Sequence, residues 1–107
     1  MTLYRAVSSD EYKDFTTDFK FRTATNTLEA KQFFKSERAV REFVKIAYTS
    51  SFKPPYKFIL IIEVDIHWLA AVQFESQNLD GYDAITIQLS DLSSFNNCFT
   101  FTREEYV

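Results

Sequence analysis

The chain has 107 residues, 46% apolar and 18% aromatic, with a formal net charge of −3 and a pI near 5.1. That length suits one domain, since domains cluster near ~100–150 residues and no Pro-, Gly- or Ser-rich linker divides the sequence. The acidic balance argues against a general phosphate-backbone binder, and the longest apolar run, Phe58 to Ile62, is far short of the ~20 residues that cross a bilayer, so neither nucleic acid nor a membrane span is expected.

Thr2 to Val7 alternates and carries aromatic and β-branched residues, which predicts a first strand. Ser8 and Glu11 stand at capping-box spacing, so a short helix is expected over about Ser9 to Phe15, acidic at its start. Residues 16–30 are polar and Thr-rich and read mainly as loop, with Phe19 and Phe21 alternating as a candidate edge strand. The clearest helix runs from about Ser36, its N-cap, to Tyr48; its face of Ala39, Val40, Phe43, Val44 and Ala47 is expected to pack on a sheet. Pro54-Pro55 stops any helical tendency, and Tyr56 to Ile66, apolar on both faces at its centre, reads as the central strand. Leu69–Glu75 and Ala84–Leu89 are further strand candidates. Between them Asn78-Leu79-Asp80-Gly81 marks a turn, with a positive φ expected at Gly81, the chain's only glycine. Phe99 to Thr102 alternates as a last, half-buried strand. This order predicts an α+β fold, a small mixed or antiparallel sheet with two helices, in preference to alternating βαβ units.

A single glycine cannot build a Gly-rich phosphate loop or a dinucleotide fingerprint. His67 stands alone and Cys98 has no CxxC partner, so no zinc site is expected; His67 reads as a strand-end residue and Cys98 as a strand residue without an activating base. One cysteine and an N-terminus (MTLYR) without a secretory apolar stretch point to a reducing, cytoplasmic setting. Glu63 and Asp65, at i and i+2, share one side of a strand and read as a solvated strand end. Arg5 is more informative. A guanidinium within an otherwise apolar strand needs an anionic partner or ligand, for which its planar fork suits phosphate or carboxylate; the structural alternative pairs it with Glu63 or Asp65 on the solvent face.

Leu3-Tyr4-Arg5 with Ser8-Ser9-Asp10-Glu11, then Leu28-Glu29-Ala30-Lys31 before Phe33-Phe34 and a Ser-capped helix, resembles small bacterial ADP-ribosyltransferase-like domains. The likeness extends to Ile62-Glu63-Val64-Asp65 and to Leu79-Asp80-Gly81 before Ala84-Ile85-Thr86-Ile87-Gln88, and so spans most of the chain. The resemblance implies a split antiparallel sheet with a cleft for NAD. It implies cofactor binding by Arg5 on the first strand, by Lys31, and by Phe33 or Phe34 at the nicotinamide. Two departures bear on catalysis: Ala30 replaces a glycine of the family's Leu-Glu-Gly-Lys, and Gln88 stands in the catalytic place where a late-strand glutamate is expected. An amide there cannot offset charge developing on the ribose, so nucleotide binding with little transfer activity is implied, unless Asp91 or Glu75 substitutes. The alternative function is a non-enzymatic protein-binding module of immunity or adaptor type, whose acidic surface and exposed Tyr and Phe meet a protein target; a weaker third is a partner-dependent fragment of a larger effector.

Overall fold

The computed structural model describes residues 1–23, 30–72, 75–79 and 82–107, with 75–79 and 82 described by their backbone alone. β1 (Thr2–Ser8) passes directly into α1 (Ser9–Asp18), because the extended Ser8 offers its hydroxyl to the Glu11 backbone N–H. Then follow β2 (Lys31–Phe34), α2 (Glu37–Thr49), β3 (Tyr56–Val64), α3 (Ile66–Ala71), β4 (Glu75–Leu79), β5 (Tyr82–Ile87), α4 (Leu89–Phe95) and β6 (Phe99–Tyr106). As expected, the Ser36 hydroxyl caps α2, accepting from the Ala39 N–H at 3.1 Å. No described helix is long and apolar enough to cross a membrane.

The α+β class holds, but the described residues form four helices where two were expected. α3 replaces the start of the expected strand at Leu69–Glu75: the Asp65 carboxylate accepts from the His67 N–H at 2.8 Å and starts a helix, so β3 stops at Val64, short of Ile66. Likewise the strand expected to reach Leu89 ends at Ile87, and Gln88 opens α4. Phe19 and Phe21 form no strand. Phe19 is the left-handed C-cap of α1, while Phe21 is buried and pinned by Asn96, which accepts from its N–H and donates to its carbonyl. Residues 24–29 and the turn at Asp80-Gly81 lie outside the described residues.

The six strands lie in the order β4-β5-β2-β1-β3-β6, with each neighbouring pair antiparallel. Alternation along each strand divides the side chains between two covered faces. On one, Leu3, Val7, Phe33, Leu60, Ile62 and Ile87 pack with Phe15 of α1, Leu69 of α3 and Leu92 and Phe95 of α4. On the other, Ala6, Phe34, Ile59, Ile61 and Ala84 pack with Ala39, Val40 and Val44 of α2. Coverage on both sides is the reason the centre of β3 is apolar throughout. Phe43, expected in the core, is only partly buried, against Phe34 and Tyr56.

Two irregularities shape the sheet. β1 pairs with β3 along its whole length, from Thr2↔Glu63 to Ser8↔Tyr56, whereas its described register with β2 consists of Tyr4↔Phe34 alone. Beyond that pair the sheet parts into β4-β5-β2 and β1-β3-β6. In β6, Ile62 faces Phe101 and Ile61 faces Arg103, so Thr102 is an extra residue, a β-bulge in an edge strand.

Candidate functional site

The parting of β1 from β2 is where Arg5 lies. Arg5 shares the β1 face of Leu3 and Val7, so its side chain enters the layer beneath α1. Nε and Nη2 donate to the two carboxylate oxygens of Glu11 at 2.7 and 2.9 Å, a bidentate pair. Nη1 donates to the Gln32 carbonyl at 3.0 Å, supplying a donor to β2 where the ladder with β1 has ended. The guanidinium carbon lies 5.8 Å from the centroid of the Phe33 ring. Lys31 Nζ stands 3.7 Å from the same Glu11 carboxylate, so one acidic group holds two cations; the side chains are 12% (Arg5), 5% (Lys31) and 23% (Glu11) exposed. Burial pushes the Glu11 carboxyl up, but hydrogen bonds and charge from Arg5 and Lys31 outweigh it and hold the group below the ordinary glutamate range.

The partner of Arg5 is thus Glu11, not Glu63 or Asp65. Glu63 accepts from the Thr2 hydroxyl at 2.7 Å and lies 3.1 Å from the Met1 amino group, while Asp65 caps α3. His67 is an exposed residue of α3, off any strand, and Cys98 sits half-buried in the turn before β6.

Phe33 and Phe34 are adjacent on β2 and therefore point to opposite faces, each into its core, at 0% and 3% exposure. In this structure both rings are enclosed, so neither presents an open face on which a nicotinamide could stack. The rings at the parting are the partly buried Phe43 and Tyr56. With Arg5, Ala6, Ala30, Gln32 and Phe34 they line a hollow of about 80 Å³, small beside the ~300–1,000 Å³ of ordinary ligand pockets.

Gln88 is not a strand residue. It is the extended N-cap of α4, and its amide makes no capping hydrogen bond. Because Ile87 pairs with Lys31 across β5 and β2, Gln88 still stands at the end of the sheet where the parting opens. Asp91 lies in the first turn of α4, and Glu75 begins β4 opposite Thr86. The hydroxyl of Thr86, whose residue is paired in register with Gln32, is buried with no hydrogen-bond partner among the described residues.

The fold therefore brings Arg5 and Lys31 together, places Gln88 near their end of β2, and separates Phe33 from Phe34. Sequence reasoning missed Glu11, Gln32, Phe43 and Tyr56. By its spacing Glu11 reads as a capping-box residue, Gln32 contributes through a backbone carbonyl, and Phe43 carries the periodicity of a core position. Among the described residues no group of three or more His, Cys, Asp or Glu is placed to hold a metal. Comparison with protein-family profiles, with curated proteins and with solved structures gave no match.

Proposed function

We propose that the chain is an ADP-ribosyltransferase-like domain that holds the pyrophosphate of NAD or a related nucleotide at the parting of its sheet, with weak or absent transfer chemistry. The observation that carries this reading is the setting of Arg5, a guanidinium on the first strand placed where an antiparallel sheet divides. Of its five N–H donors, three serve Glu11 and Gln32; the other two are uncommitted among the described residues and share the plane that suits a phosphate. Glu11 fixes that plane in advance, which lowers the ordering cost of binding. The hollow is too small for a dinucleotide as it stands, so binding would widen the parting between β1 and β2. Phe43 and Tyr56, in place of Phe33 and Phe34, are the rings such a ligand would meet. Weak chemistry follows from Gln88, whose neutral amide cannot offset an oxocarbenium-like charge.

Calorimetric titration of NAD tests the reading. Saturable binding by the wild type is expected, weakened at least roughly tenfold in Arg5→Lys, which keeps the charge but loses the fork. Thermal melting of both proteins would separate lost binding from lost folding. No saturation at millimolar NAD, or equal affinity in a folded Arg5→Lys protein, would remove the nucleotide from this site. Rapid NAD hydrolysis by the wild type would overturn the claim of weak chemistry.

A further inference from the structure

The C-terminal half of α2 and the segment after it carry an apolar surface that no described element covers. Tyr48 is 84% exposed and Phe52 49%, far more than aromatic side chains of this size need. Two adjoining hollows of about 360 and 410 Å³ lie here, the first bordered by Phe52; they share Val44, Tyr48 and Val107 as lining, and so form one trough with a floor completed by Pro55 and Ile59.

The charges around this trough are unequally committed. Arg41 is engaged by Glu37 at 3.4 Å and by Glu105 at 2.7 Å, and Glu42 is engaged by Arg38 at 3.1 Å. Lys45 on α2 and Lys53 on the following segment also line the trough, and neither has an ion-pair partner among the described residues. Two uncommitted ammonium groups thus flank an apolar floor, in a molecule whose net charge is −3.

We infer that this trough is a docking site for an acidic amphipathic segment of another protein, with apolar anchors filling the floor and carboxylates meeting Lys45 and Lys53. A concave surface receives protruding anchors, whereas insertion into a lipid surface requires the protein itself to protrude. The net negative charge would also oppose approach to an anionic membrane. This site is independent of the nucleotide reading and stands or falls without it.

The test is selection of random 12-residue peptides displayed on phage against the immobilised full chain, followed by affinity measurement of the enriched peptides as synthetic probes. Enrichment of sequences that combine Asp or Glu with Leu, Phe or Trp is expected. Their affinity should fall at least roughly tenfold in the Lys45→Glu/Lys53→Glu double variant and in Tyr48→Ser, all at exposed positions where circular dichroism can verify an unchanged fold, and should weaken with added salt. No enrichment over an unrelated protein, enrichment of basic or purely apolar peptides, or affinity unmoved by these substitutions would overturn the proposal. So would either of two other occupants: co-sedimentation with phosphatidylserine–phosphatidylcholine vesicles that requires Tyr48, indicating a membrane surface, or a concentration-dependent dimer abolished by Tyr48→Ser, indicating a second copy.

Discussion

Arg5 illustrates how a single buried cation organises its surroundings. A guanidinium 12% exposed would be costly alone, and Glu11 both neutralises it and uses two of its donors in one plane. The capping-box spacing suggested that the Glu11 side chain would reach back to Ser8. Instead Ser8 engages only the Glu11 backbone N–H, and the carboxylate is free for Arg5. Replacing Glu11 by Gln keeps the shape and removes the charge, and should cost about 1.5–3 kcal/mol at neutral pH, the range for hydrogen bonds to charged groups. Because the folded-state pKa of Glu11 is depressed, its contribution is fully present above the unfolded pKa and is lost as pH falls through the lower folded value. The stability gap between wild type and Glu11→Gln should therefore be wide near pH ~7 and narrow toward pH ~3, which urea melts at several pH values would show. A gap independent of pH would mean that the carboxylate is not what holds Arg5.

At the scale of elements, the helices differ in how readable they were. α2 announced itself through a Ser cap and a continuous apolar face over thirteen residues. α3 and α4 span six and seven residues, too few for a helical period to separate from a short apolar run, so Leu69–Glu75 reads as a strand from its start, while the strand that does run from Ala84 to Ile87 reads as continuing to Leu89. The missed α4 carries one of the most enclosed rings. Phe95 is fully buried, with the rings of Phe21, Phe33, Trp68 and Phe99 at centroid distances of 6.1, 5.1, 5.4 and 5.2 Å. Phe95→Ala should cost roughly 3–5 kcal/mol, as for other core aromatics, while Phe43→Ala, on the well-predicted α2 but only partly buried, should cost about 1–3 kcal/mol. Denaturant unfolding would rank the two, and the reverse order would contradict the packing described for α4. Gln88 was misplaced for the same reason as α4 itself: with no visible helix start, the strand ran on through it.

Across the whole molecule, the class followed from the order of elements, which left a mixed and an antiparallel sheet both open, but the parting between β1 and β2 did not, because register joins residues far apart in sequence and leaves no local trace. A split sheet is implied by the family resemblance; among the residues themselves, only Arg5, an oddity in an apolar strand, points to that place. The length of β6 was hidden differently. Strict alternation from Phe99 and Phe101 would carry Arg103 and Glu105 inward, so the expected strand stopped at Thr102. In the folded chain Thr102 absorbs one step, after which Glu104 reaches the Tyr12 hydroxyl at 2.8 Å, Tyr106 packs on Phe58, and Glu105 turns to Arg41 on the opposite face. Deleting Thr102 would leave each of those side chains on its present face, since the remaining residues then alternate without interruption. What the deletion would remove is the kink in an outermost strand, leaving a straight row of backbone donors and acceptors open to a like strand from a neighbouring molecule. The shortened protein should fold to the same circular dichroism spectrum yet scatter light and bind thioflavin T at concentrations where the parent stays clear. A shortened protein that stays equally clear would show that the charges of Arg103, Glu104 and Glu105 suffice as the barrier to fibre growth.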